Sequence, residues 1–129
     1  MIRAVIEPAT IDVDIDIKPC SDPNSVNPRS NGVLPVAILS TLDFDATTVD
    51  PTTVMLDGVS AIKSKVMDVC EEGYSEGDGD LDLVVYFNTP DFTGWDENTV
   101  EAILTGETLS GIPIEGMDSI RIVTKGPHN

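Results

Sequence analysis

The sequence predicts an all-β protein, an antiparallel β-sandwich of about seven to nine strands with at most one short helical turn. Ile11, Val13, Ile15 and Ile17 alternate with Asp12, Asp14 and Asp16, a strict period of two that a helix cannot use. Further short β-rich runs at 53–56, 61–69, 81–88, 99–105 and 120–124 are each bounded by Gly, Pro, Asp or Asn, the punctuation expected between strands. No segment of helical length carries an amphipathic pattern, and short strands at this spacing suit a sandwich.

Taken in order, residues 1–10 carry Ile2, Ala4 and Ile6 in alternation before Pro8. They read as an N-terminal extension or an edge strand able to lie on a neighbouring subunit's sheet. Residues 11–125 form a single sandwich domain and residues 126–129 a C-terminal tail. The alternating segment 11–17 is a strand with one buried and one acidic face. Pro19 to Asn31 gathers Pro, Ser, Asn and Asp, residues that favour turns and side-chain bonds to the backbone, so an ordered irregular loop is expected. Val33 to Leu39 is a strand, but Pro35 lacks a ladder donor and points to an edge or a bulge. Thr41 to Pro51 offers caps and turns without helical periodicity. Residues 106–116 read as a hairpin region, with Ile112 and Ile114 flanking Pro113. The expected core includes Ile15, Ile17, Val36, Ile38, Leu83, Val85, Phe87, Ile103, Ile120 and Ile122.

Composition limits the function. With 129 residues, 40% hydrophobic and 23% charged, the chain has enough apolar material for one folded domain and is not of a disordered type. Seven basic against 23 acidic residues leave a formal charge of −16, which repels nucleic acid and anionic membrane and favours cations. The longest largely apolar run, 33–39, is far too short to span a bilayer, and the N-terminus lacks a basic region followed by an apolar stretch, so a soluble chain is expected.

Residues 76–82 read Glu76, Gly77, Asp78, Gly79, Asp80, Leu81, Asp82 and run into the apolar stretch 83–87. Ca²⁺ takes six to eight oxygen ligands, and alternate carboxylates on a glycine-curled chain can converge on one ion. Placing Gly79 at the turn position of an EF-hand puts Glu76, Asp78, Asp80 and Asp82 at the third, fifth, seventh and ninth positions. Tyr74 and Val85 then stand at the first and twelfth positions, where carboxylates are required, so a helix-loop-helix hand is not expected. A calcium loop closing onto a strand is the reading, with a solvated acidic turn as the alternative. Cys20 and Cys70 are too few and too far apart for a zinc ribbon. A disulfide closing a loop of about 50 residues, worth roughly 4 kcal/mol in the chain-entropy model, and two buried free thiols both remain open.

Several blocks in order resemble an uncharacterised β-rich module of large secreted bacterial and archaeal proteins. These are Ile15-Asp16-Ile17-Lys18-Pro19, Ser21-Asp22-Pro23-Asn24-Ser25-Val26-Asn27-Pro28, Gly32-Val33-Leu34-Pro35-Val36-Ala37-Ile38-Leu39, Asp43-Phe44-Asp45, Thr48-Val49-Asp50-Pro51, the acidic loop, and 104–107 with 112–116. The likeness covers about residues 12–123 and implies an extracellular or cell-surface location and calcium, but no reaction. It also implies Asp68 as the first ligand, followed by Glu76, Asp78, Asp80 and Asp82. The chain departs from the module at Cys20, usually Gly, and by inserting residues 70–75 after Asp68 and Val69. Both cysteines are gained together, which implies a Cys20–Cys70 disulfide tethering the enlarged loop to the turn after the first long strand.

No catalytic constellation is evident. His128 is the sole histidine and stands at the chain end, there is no Gly-x-Ser-x-Gly elbow, and a pair of carboxylates is expected by chance among 23. The expected function is a non-catalytic, calcium-binding extracellular module acting in adhesion, spacing or cell-surface assembly. One alternative is a calcium-dependent carbohydrate-binding module, since Tyr74, Phe92 and Trp95 fall in loops where rings can stack on sugars. The other is a subunit of an extracellular filament assembled by strand addition. Partners are then calcium, with polysaccharide or neighbouring cell-surface subunits, and neither nucleic acid nor membrane insertion.

Overall fold

The computed structural model describes residues 9–19, 24–69 and 79–123. Among them the chain is all-β, with eleven strands: β1 Ile11–Asp12, β2 Asp14–Ile17, β3 Ser25–Val26, β4 Val33–Leu39, β5 Val49–Leu56, β6 Val59–Ser60, β7 Lys63–Met67, β8 Asp82–Asn88, β9 Glu101–Thr108, β10 Pro113–Ser119 and β11 Arg121–Ile122. β1, β3, β6 and β11 have two residues each, which accounts for the excess over the expected seven to nine. The order in one sheet is β1-β10-β9-β5-β6 and in the other β2-β4-β8-β7, with β3 and β11 forming a small third pair. The long pairings are antiparallel; β1 with β10 and β11 with β3 are parallel. Among the described residues two three-residue 3-10 turns occur, Ala46–Thr48 and Thr89–Asp91, one more than expected. Pro90 presets the second.

The two larger sheets share one core. Ile15, Ile17, Val36, Ile38, Leu83, Val85 and Phe87 from one sheet meet Val54, Leu56, Ala102, Leu104 and Ile114 from the other. Ile120 is buried with them and Ile122 packs half-buried at the rim. Ile103 departs from the expectation. Alternation in β9 places Ala102 and Leu104 inside, so Ile103 faces out at 41% exposure, opposite Met117 on β10. Met117 is exposed too, so the two form a small apolar pair on the outer face, where some apolar surface is ordinary.

Pro35 also departs from the expectation, because β4 lies between β2 and β8. Its carbonyl accepts from the Lys18 N–H at 2.8 Å, so its nitrogen faces the same side, where β2 has ended at Ile17 opposite Val36. Lys18 stands at φ 55 and carries the chain away, so the missing donor costs no ladder bond. Asp57 and Gly58, both at positive φ (45 and 83), close the β5–β6 hairpin between Leu56 and Val59, the Asp-Gly signature of a two-residue loop.

Residues 11–17 join the sheets. β1 lies beside β10, Val13 donates to the Glu115 carbonyl at 2.9 Å, and β2 then pairs with β4. Gly116 makes this crossing possible, since a Cβ there would stand 2.7 Å from the Val13 carbonyl oxygen and 2.8 Å from Ile15 Cγ2. Gly116→Ala is therefore expected to destabilise the fold by about 1–3 kcal/mol, the usual cost of overpacking, read as a lower urea midpoint. Gly94→Ala, where a Cβ meets nothing within 4 Å, is the matched control.

Candidate metal centre

The expected ligands lie along the β7–β8 hairpin. Met67 pairs with Asp82 at its open end, which brings Asp68 to Gly79 and Asp80 across the connection. The Gly79 N–H donates to Asp68 Oδ2 at 2.9 Å, with Gly79 at φ 92, a left-handed conformation that suits glycine. Asp68 Oδ1 is enclosed and has no hydrogen-bond partner. A carboxylate oxygen held out of water without a donor is costly unless a cation or proton meets it. Asp80 is exposed on the bend beside it. Glu76 and Asp78 lie outside the described residues, as do Cys20, Cys70, Tyr74 and His128. Among the described residues no three acidic, histidine or cysteine side chains surround a common point.

Asp82 takes a different part from the one its spacing suggests. It is fully buried, with Oδ1 accepting from the Ser40 N–H at 2.8 Å and Oδ2 from the Val69 N–H at 3.2 Å. Ser40 Oγ donates to the Leu81 carbonyl at 2.6 Å and accepts from the Ala46 N–H at 2.8 Å. Asp82 thus ties the ends of β4 and β7 to the start of β8. Val69, so held, packs on Ala37 and Val84.

Beside this knot an open groove separates residues 40–47 from 79–81 and places Asp43 and Asp45 near Asp80. Asp45 caps the 3-10 turn at Ala46–Thr48. The Thr47 hydroxyl and then the Thr47 N–H, at 2.6 and 2.9 Å, hold its carboxyl below its ordinary value.

The described loop aromatics, Phe92 and Trp95, are internal. Phe92 stacks on Trp95 with centroids 4.0 Å apart and planes 11° from parallel, and Phe87 meets Phe92 at 5.9 Å. Trp95, at 9% exposure, donates Nε1–H to Asp57 Oδ2 at 2.8 Å, while Asp57 Oδ1 accepts from the Ile103 N–H at 2.9 Å. A pinned ring of this kind is a lid on the core, not a free platform for a sugar. Sequence reasoning missed Asp57, whose Asp-Gly turn was the available signal. It also missed Asp118, which accepts from the Ile17 N–H at 2.9 Å and from Asn24 Nδ2 at 2.8 Å and has no local signature. Comparison with protein-family models, curated proteins and solved structures finds no match to this chain.

Two outcomes follow from these contacts. Asp82→Ala leaves two buried N–H donors unpaired at about 1–3 kcal/mol each, so a loss of roughly 2–6 kcal/mol is expected in chemical denaturation. A loss below about 1 kcal/mol would refute the tie. For Asp45, a depressed folded value means its stabilising contribution is present above the unfolded carboxyl value near 4 and is lost as pH falls through the folded one. Carboxyl carbon NMR should place the Asp45 midpoint below that of ordinary aspartates, and Thr47→Val should move it up.

Proposed function

We propose that this protein is a non-catalytic, calcium-stabilised extracellular module. The observation that carries the reading is the buried, unpartnered Asp68 Oδ1 at the mouth of a connection containing Glu76, Asp78 and Asp80. Asp68 supplies a preplaced oxygen, Gly79 fixes its orientation, and the remaining acidic side chains complete an oxygen-rich set of the kind Ca²⁺ prefers. Asp82 anchors the scaffold behind them. The formal charge of −16 draws cations to the surface. The work of such a module is adhesion, spacing or assembly at a cell surface. The sugar-binding alternative loses support because Phe92 and Trp95 are buried. The disulfide reading keeps its basis in the paired cysteines. Of their described neighbours, Pro19 lies in the turn after β2 and Val69 packs on the outer face of the sheet that holds β2.

A ligand that binds the folded state at a hundred times its Kd stabilises by about 2.7 kcal/mol, so saturating Ca²⁺ should raise Tm by several degrees over a chelator. Asp68→Ala, and Asp78→Ala with Asp80→Ala, should abolish that rise while Asp43→Ala keeps it. An equal Tm with Ca²⁺ and with chelator overturns the reading. Thiol titration of the denatured, unreduced protein should find no reactive thiol.

A further inference from the structure

Among the described residues β7 is a sheet edge: all five of its residues are exposed, and its one strand neighbour there is β8. Register shows which groups remain available. Lys18 donates to Pro35, so Pro35 and Ala37 turn their backbone groups towards β2, while Leu34, Val36 and Ile38 turn theirs to β8. Tyr86, Val84 and Asp82 then serve Lys63, Lys65 and Met67. The N–H and C=O groups of Ser64 and Val66 therefore point outward from the sheet. Val69, two residues past the end of β7, packs on Ala37 and Val84 on the outer face.

The side chains of β7 divide by face. Lys63 and Lys65 lie on the outer face, opposite Tyr86 and Val84, with the Lys63 ammonium 4.9 Å from the Tyr86 ring centroid. Val66, 47% exposed, lies on the core side opposite Leu83. These lysines are two of only seven basic residues in a chain with 23 acidic ones, and β7 itself holds no acid. Lysines on an edge commonly deter pairing between like edges. An extended segment with acids on one face and apolar side chains on the other meets no such deterrent, since its acids fall over the lysines and its apolar row continues past Val66.

We propose that the β7 edge accepts an extended, alternating acidic and apolar peptide segment of a partner protein as an added strand, main-chain bonds to Ser64 and Val66 holding it and Lys63 and Lys65 selecting it. None of the groups used is an expected calcium ligand, so the proposal does not rest on the metal site.

The probe is a synthetic peptide of the required pattern, Ile-Asp-Val-Asp-Ile-Asp-Ile, added to the full-length protein. Hydrogen exchange by NMR should show at least tenfold slowing at the Ser64 and Val66 amides, weakening with salt. Lys63→Glu with Lys65→Glu should abolish the slowing, and so should Ser64→Pro, which removes an outward donor and spares the bonds to β8. Circular dichroism verifies that each variant is folded. No slowing with excess peptide overturns the proposal, as does equal slowing with the peptide bearing Lys in place of Asp. Slowing that rises with protein concentration and needs no peptide assigns the edge to a second copy and also overturns it.

Discussion

Residues 11–17 serve two sheets with one short run of chain, and the architecture depends on that. Ile11 and Asp12 belong to β10's sheet, Val13 bonds to Glu115, and Asp14 to Ile17 belong to β4's sheet. Because one segment belongs to both, the sheets cannot slide or separate without breaking ladder bonds on one side. A one-residue slip would put the Asp row into the core and the Ile row into solvent. The crossing is held by Gly116, which leaves room for the backbone, and by Asp118, which accepts the Ile17 N–H. With β2 fixed, β4 becomes an interior strand, and the position of Pro35 level with the end of β2 becomes tolerable.

A chain with so many acids faces self-repulsion in any compact state, and this fold uses several of them as internal acceptors. Asp57, Asp82 and Asp118 each accept two or more N–H groups from residues distant in sequence. Charge-assisted bonds of this kind are shorter and stronger than neutral ones. They sit where strands begin, end or turn, the places where backbone donors lack ladder partners. Asp68 differs from these three. One of its oxygens has a donor and the other is enclosed without one, and that asymmetry separates Asp68 from the carboxylates that complete the scaffold.

Period-two alternation made β2 legible, and bounded apolar runs did the same for β4, β8 and the β9–β10 hairpin, because burial of one strand face leaves a direct mark on composition. Ile103 was misread because Ala102 and Leu104, its neighbours in β9, are equally apolar and the run carries no phase. Pro35 was misread because local chemistry records a missing donor but not where the neighbouring strand ends. Spacing identified the acidic loop and could not separate Asp82 from Asp80, since one is buried and the other exposed only through the register of β7 on β8. Trp95 was visible as a loop aromatic, whereas its partner Asp57 stands 38 positions away and no local pattern joins them.

The β7–β8 hairpin links the acidic loop to the edge strand β7. β7 contributes little to the core, so among the longer strands it has the least burial opposing local opening. What holds its C-terminal end is Met67 opposite Asp82, the Asp82 bond to Val69, and the Asp68 bond to Gly79. The last of these runs from a carboxylate of the proposed calcium site to the far side of the same connection. A cation that fixed Asp68 would fix Gly79 with it and so pin the end of β7 to the start of β8. By linkage, a strand added along β7 and an ion bound at its end would each strengthen the other to the extent that both require this hairpin closed. Such coupling needs no change of shape elsewhere, because the rest of the sheet is already fixed by the segment that crosses between the layers.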